Sequence, residues 1–226
     1  MPKAAAKATT MLAPILELDR LPAFSPEPHA IATDGRQLWV SSKTTRRIDV
    51  IDRDAFEKVG EIDPPGMPWG MAYCDGVLAM TCGETSDDTR IIRRYTREGG
   101  FAPNGTPCPE DTGSHLACYE GQLLLAQWYN KRLLLLDDAG EVVRRYDAPH
   151  GIAGVGVVNA IACILGTDDE DAGDYWITRI DLSDPSSKPQ DIALVPFRAR
   201  GLAWDGNTWW TNHREADQIV AFVLPS

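Results

Sequence analysis

The sequence predicts an all-β chain folded as a five-bladed β-propeller, and three observations predict it. A motif of short strand, tight turn and short strand recurs five times along the 226 residues. Each copy is followed by a third strand, and most copies by a fourth. No window sustains the i, i+3, i+4, i+7 apolar spacing of an amphipathic helix. Four antiparallel strands repeating every ~40–45 residues is the pattern of a propeller blade.

The first copy is "HAIATDGRQLWVSS", which begins at His29. Its apolar runs, residues 30–32 and 38–40, flank Asp34-Gly35. Glycine accepts positive φ at low cost, so this pair closes a two-residue hairpin. The second copy is "WGMAYCDGVLAMTC" (69–82) and the third "SHLACYEGQLLLAQW" (114–128). "HGIAGVGVVNAIACILG" (150–166) and "RGLAWDGNTWWTNH" (200–213) complete the series. Aligned on the first apolar position, the copies start at Ile31, Met71, Leu116, Ile152 and Leu202. The fourth copy alone lacks an Asp/Glu-Gly turn. Asp34, Asp75, Glu120 and Asp205 mark the turns and are expected on the rim away from any site.

Third strands follow as "RRIDVID", "TRIIRRYT", "KRLLLLDD", "YWITRIDL" and "DQIVAFVL". Fourth strands follow as "EKVGEID", "EVVRRYD" and "DIALVPF"; the second copy has the irregular "FAPNGTPCPED" instead. The last copy ends after three strands. Its outer strand is expected from "PILELDRLP" (14–22), which would staple the two chain ends together and cover the open edge. Residues 1–12 are expected as a loose tail, and 13–226 as one propeller.

Composition narrows the function. Thirty-three acidic against twenty-two basic residues give a net charge of -11, which repels phosphate backbones and anionic lipid. Nucleic acid and membrane surfaces are therefore not expected partners; a small molecule is. No apolar run is long enough to span a bilayer. The opening "MPKAAAKATTMLAPILELD" lacks the apolar core of a secretory signal. Cys74, Cys82, Cys108, Cys118 and Cys163 are odd in number and form no CxxC pair, which fits reduced thiols in a cytoplasmic protein. The acidic run "DDEDAGD" (168–174) reads as a solvated loop.

The motif "P-x-G-(I/M/L)-A-x-D-G-x-L-W" resembles the blades of the streptogramin lyase, NHL and YVTN-type propellers. Its clearest copies are "PHAIATDGRQLWV", "PWGMAYCDGVLAM" and "RGLAWDGNTWW", and "TNHREADQIVAF" looks like an NHL third-strand start. The resemblance covers the whole chain and concerns architecture. Five-bladed relatives also include plant-type glutaminyl cyclotransferases, whose loop residues the sequence does not carry. Through the streptogramin lyases, the resemblance implies an eliminating lyase with a divalent ion beside histidine. Propellers host many chemistries, so function must come from the site.

The chain has four histidines. His29, His115 and His150 precede innermost strands, and His213 ends a second strand on the same rim. Three imidazoles converging on the channel axis would hold one divalent transition metal (Zn, Fe, Cu, Ni or Mn) and leave a position open for water or substrate. A one-residue mismatch complicates this: His115 lies one position later than His29 when the copies are matched on their apolar pair. His213 would serve in acid–base chemistry, Glu84 as a general base, and Arg200 as the binder of a carboxylate or phosphate. Trp69, Trp128 and Tyr129 would wall a substrate pocket. The expectation is a metal-dependent lyase or hydrolase acting on a small organic molecule at the top of the channel. A metal-dependent oxygenase and a non-catalytic binding or scaffold propeller are the alternatives.

Overall fold

The computed structural model describes residues 12–85, 89–171, 173–184 and 186–225. Leu12 apart, the expected tail lies outside them. Five small antiparallel sheets stand in a ring, making a five-bladed β-propeller. The innermost strands are Pro28–Thr33, Met67–Cys74, Leu116–Tyr119, Gly151–Val158 and Ala199–Trp204. Each packs against the innermost strands of the blades on either side, so blade five meets blade one.

Successive strand residues point to opposite faces. Here both faces of each inner strand meet a neighbouring blade, which is why their middles carry successive apolar residues, as in Ala30-Ile31-Ala32, rather than an alternation. Ala30 and Ala32 pack with Met71 and Met80 of blade two, while Ile31 packs with Ala203 and Trp210 of blade five. Trp39 stacks on Tyr73 across the same boundary, ring centroids 4.8 Å apart. The turn aspartates are structural: Asp34 Oδ1 accepts from the amides of Arg36 and Gln37, and Asp205 Oδ1 from those of Asn207 and Thr208.

The chain closes as expected. Leu16–Pro22 runs antiparallel to Gln218–Val223 and forms the outer strand of blade five. The preceding residues also join blade four, since Ile15 N donates to Leu194 O at 2.8 Å and Leu194 N to Ala13 O at 2.9 Å. The closing segment therefore spans two blades and covers an edge of each. The irregular stretch of blade two resolves into two two-residue strands, Gly100–Phe101 and Thr106–Pro107, both paired to Ile91–Thr96.

Side chains on the second strands fasten blade one to two, blade two to three and blade five to one. Ser41 Oγ donates to Pro68 O at 3.0 Å, Thr81 Oγ1 to Ser114 O at 2.8 Å and Asn212 Nδ2 to His29 O at 3.0 Å. All three donors are buried, so the bonds are made away from water and fix the start of the next inner strand.

The cysteines depart from expectation. Cys74 and Cys118, at the far ends of adjacent inner strands, form a disulfide between blades two and three. Cys82, Cys108 and Cys163 are buried free thiols, each pushed up to about 12 chiefly by burial.

Candidate functional site

A cavity of about 650 Å³ opens on the rim where the inner strands begin. His29, Trp69, Trp128, Tyr129 and Arg200, all singled out from sequence, line it together. The opposite mouth of the channel is a space of about 100 Å³ bounded by the later halves of the same strands.

β-Bulges place the site side chains. In blade two the ladder jumps from Pro68↔Cys82 to Gly70↔Thr81, leaving Trp69 as the extra residue. In blade one His29 and Ala30 together oppose Ser41, between Pro28↔Ser42 and Ile31↔Val40. Such a bulge re-aims a side chain at the rim of a sheet. In blade three Ser114 N donates to Ala126 O and Ala126 N donates to His115 O, so Ser114 and His115 together oppose Ala126, next to Leu116↔Leu125. Ser114 thus holds the place of His29 and lines the cavity, while His115 holds that of Ala30 one residue later, and the two imidazoles of His29 and His115 nonetheless meet. Their ring centroids lie 6.1 Å apart with planes 18° from parallel. Trp69 meets His29 edge-on at 5.2 Å.

His150 lies elsewhere. In blade four the extra residue is Ala153, between Ile152↔Gly166 and Gly154↔Leu165. Val155, not Ile152, takes the position of Ile31 at the channel. The alignment on Ile152 is thus three residues out of phase, and the true counterpart of His29 is Ala153. His150 faces outward, with Nδ1 3.0 Å from Asp168 Oδ2, Nε2 3.3 Å from Asp191 Oδ2 and its ring stacked on Trp176.

A three-histidine centre is consequently not assembled. Among the described residues no group of three His, Cys, Asp or Glu is placed to hold a metal ion. The two central imidazoles share one electrostatic environment. Burial, then the positive charge of Arg200, holds both His29 and His115 well below the usual histidine range. His29, His115 and His150 therefore do not converge as a set on one ion.

The other expected residues divide. His213 stacks on Phe197 at 4.7 Å, outside the cavity, and burial followed by Arg20 lowers its pKa. Glu84 pairs with Arg46 and borders a smaller space beside Trp69. Arg200 is on the cavity wall, buried, with its guanidinium 5.5 Å over the Trp128 ring.

Sequence reasoning missed the residues that charge the cavity. Glu170 comes from the acidic loop taken as solvated. Its Oε2 receives Arg200 at 2.5 Å and Arg214 at 2.9 Å. Tyr175 OH donates to Glu170 O at 3.2 Å, and Thr167 Oγ1 to Asp169 O at 2.9 Å, which anchor the loop. Burial alone would raise the Glu170 carboxyl, but the two arginines hold it below its ordinary value. Arg90 lies 4.4 Å over the Trp69 ring, and Lys43 stands at the mouth. The loops joining second to third strands carry Lys43, Trp128, Tyr129 and Glu170, with Arg214 just past a second strand. The rule that selected Trp128 and Tyr129 could have found the others.

No protein-family model matches the chain, and no curated protein matches it in sequence. Its likeness is to solved propeller structures. A glutaminyl cyclase of Myxococcus xanthus superposes with a TM-score of 0.70 at 10% identity, over 93% of this chain and 98% of that one. Virginiamycin B lyase of Staphylococcus aureus gives 0.54 at 18% identity, over 88% of this chain and 66% of the lyase. The PQQ-bound aldose sugar dehydrogenase of Streptomyces coelicolor gives 0.55 at 12%, over 93% and 98%. At such identities the likeness shows the fold alone, the β-propeller that the blade motif suggested.

Proposed function

We propose that this propeller is an enzyme of lyase or hydrolase type acting on a small organic molecule in the rim cavity. Proton transfer would run through His29 rather than through a metal ion. The observation that carries the reading is the joining of His29, Arg200, Trp69 and Trp128 on one cavity wall. A neutral imidazole can accept a proton from a substrate held against it. Arg200 would hold the substrate and the indoles exclude water from it. Several propeller neighbours are enzymes by name, which supports the class but not a reaction.

A second reading is a non-catalytic binding propeller. It is favoured by Glu170, whose carboxylate is occupied by two arginines, and by the depth of His29, which is only 4% exposed. In either reading the partner is a small molecule, and the charge of -11 disfavours nucleic acid and anionic membrane. Among the described residues no helix is long and apolar enough to cross a membrane. The expected cytoplasmic location rested on reduced cysteines, and the Cys74–Cys118 bridge removes that support.

The test is turnover of a panel of esters, lactones and elimination substrates, followed by NMR with and without EDTA. Turnover that survives EDTA and is lost in His29→Gln supports the reading. Activity that EDTA abolishes and a metal ion restores would overturn it. Ligand binding without any turnover turns the assignment to the binding propeller.

A further inference from the structure

We infer that the chemistry of the rim cavity is hydrolysis of an ester or lactone, with the water delivered to His29 from a separate side chamber. The inference rests on the reading above that His29 moves a proton for a small organic substrate. It decides between the lyase and hydrolase forms of that reading.

A second space, of about 140 Å³, lies beside the cavity among blade one, blade five and the acidic loop of blade four. The two spaces share a wall formed by His29, Lys43, Glu170, Asp171 and Arg214. His29 and the Glu170–Arg214 ion pair, 2.9 Å long, therefore border both. His115 is on neither wall, and its Nε2 is buried without a hydrogen-bond partner. Of the two stacked imidazoles, only His29 meets both chambers.

The chambers suit different occupants. Sites for organic ligands run to ~300–1,000 Å³, a range that includes the cavity at about 650 Å³ and excludes the side chamber at about 140 Å³. The cavity carries Trp69, Trp128 and Tyr129, flat surfaces for an organic body. Arg200 lines the cavity and not the side chamber, which puts its charge on the substrate side of His29. Among the described residues, the side chamber is walled by charged side chains, His29 and Pro28. Such a lining keeps water, and the volume has room for several molecules, each of which takes about 30 Å³ in the liquid.

This division decides the reaction. An elimination needs a base beside the substrate and no second reactant. A hydrolysis needs a base that meets substrate and water together, and that is the place His29 occupies. His29 takes one proton of the water as the water oxygen bonds to the carbonyl carbon. The bond from that carbon to the leaving oxygen then breaks, and His29 returns the proton to the departing oxygen. Ester and water thus give acid and alcohol, and a lactone gives the hydroxy acid.

The experiment is turnover of the ester, lactone and elimination substrates by the full chain in ¹⁸O-enriched water, with mass spectrometry of the products. One solvent oxygen should enter each product acid. Glu215 lines the side chamber alone, is exposed, and pairs with Arg198 at 2.9 Å. Glu215→Trp should fill the chamber, whereas Glu215→Gln loses the same charge at unchanged volume. The ester kcat should be at least about tenfold lower in Glu215→Trp than in Glu215→Gln, with KM within about twofold, because the attacking water is displaced and the substrate is not. Arg198→Trp, which fills the same chamber from a second position, should act alike. Equal kcat in all three variants overturns the water route. Turnover of esters without solvent oxygen in the acid overturns the hydrolysis. Turnover confined to the elimination substrates and lost in His29→Gln also overturns it, and leaves the reading beneath it standing. If the native chain turns over no substrate, both fall.

Discussion

His29 and His115 come from blades that are not neighbours in the ring, yet their imidazoles stack across the channel with centroids 6.1 Å apart. Both are buried and neutral, held there by desolvation and by Arg200. In the unfolded chain they return to a pKa near 6.5. Below that pH the unfolded state takes up protons that the folded state refuses. The stability tied to these groups is therefore present above pH 6.5 and lost as pH falls below it. Each proton so taken up costs about 1.4 kcal/mol per pH unit. The melting temperature should drop between pH ~7.5 and ~5.5, before the ion-paired carboxylates begin to titrate. His29→Gln/His115→Gln should remove most of that drop, the remainder coming from His213. A drop of undiminished size in the double variant would show that the pair is not its source.

Much of the architecture was legible in the sequence because the Asp-Gly and Glu-Gly turns mark the phase of four blades. The closing strand was legible for the same reason, since blade five visibly lacks a partner that residues 14–22 resemble. Blade four is where the reading slipped. "GIAGVGVVN" is small or apolar at every position and has no acidic turn to anchor it, so two alignments three residues apart fit the pattern equally well. Only the ladder, with Ala153 in the bulge, separates them. Glu170 was hidden by a different cause. An acidic loop and a carboxylate folded onto two arginines have the same composition, and the conformation that distinguishes them is not local to the loop. The disulfide left a signal that composition obscured: Cys74 and Cys118 sit at matching ends of consecutive inner strands, and the odd total count drew attention away from the pair.

Gly70 sits where blades two and three come closest. A Cβ there would lie 2.1 Å from Ser114 O and 2.5 Å from His115 Cα. Those are backbone atoms and cannot rotate aside. Gly70→Ala should therefore destabilise the fold by at least about 2 kcal/mol, as overpacking of a rigid contact does. It should also displace Trp69 and His115 and so weaken any cavity ligand. Gly60 provides the control, because its Cβ would meet Val50 at an ordinary 3.6 Å. Urea denaturation of the two variants checks the difference. Equal midpoints would mean that the blades part easily and that the close approach is not a constraint.

The Cys74–Cys118 bridge closes a loop of 44 residues in sequence. Its removal frees that loop in the unfolded state, at a cost to stability of about 2–4 kcal/mol. For a chain of this size that corresponds to a fall in melting temperature of roughly 5–15 °C. Cys74→Ser/Cys118→Ser, or reduction of the native protein, should show it. Thiol counting under denaturing conditions gives an independent check. Three reactive thiols before reduction and five after it are expected from the bridge and the buried Cys82, Cys108 and Cys163. Five thiols before reduction would mean that the protein, as isolated, does not contain the bridge.

His150 offers the sharpest separation between the blade alignment read from sequence and the arrangement in the fold. If it belonged with His29 and His115, its removal would disturb the cavity. In the structure it joins Asp168 and Asp191 on the outer side of blade four and stacks on Trp176. Lys131 also reaches Asp168, at 2.7 Å, so the cluster ties a loop of blade three to blade four. His150→Ala should cost about 0.5–1.5 kcal/mol, the range for partly exposed hydrogen bonds together with one aromatic stack. Cavity ligands should bind the variant with unchanged affinity. His29→Gln, by contrast, should alter ligand binding or turnover while leaving the loop of blade four intact. Proton NMR of the Trp176 indole reports on that loop, and titration with a cavity ligand reports on the site. Loss of ligand affinity in His150→Ala with the Trp176 signal unmoved would restore His150 to the site and sink the three-residue correction.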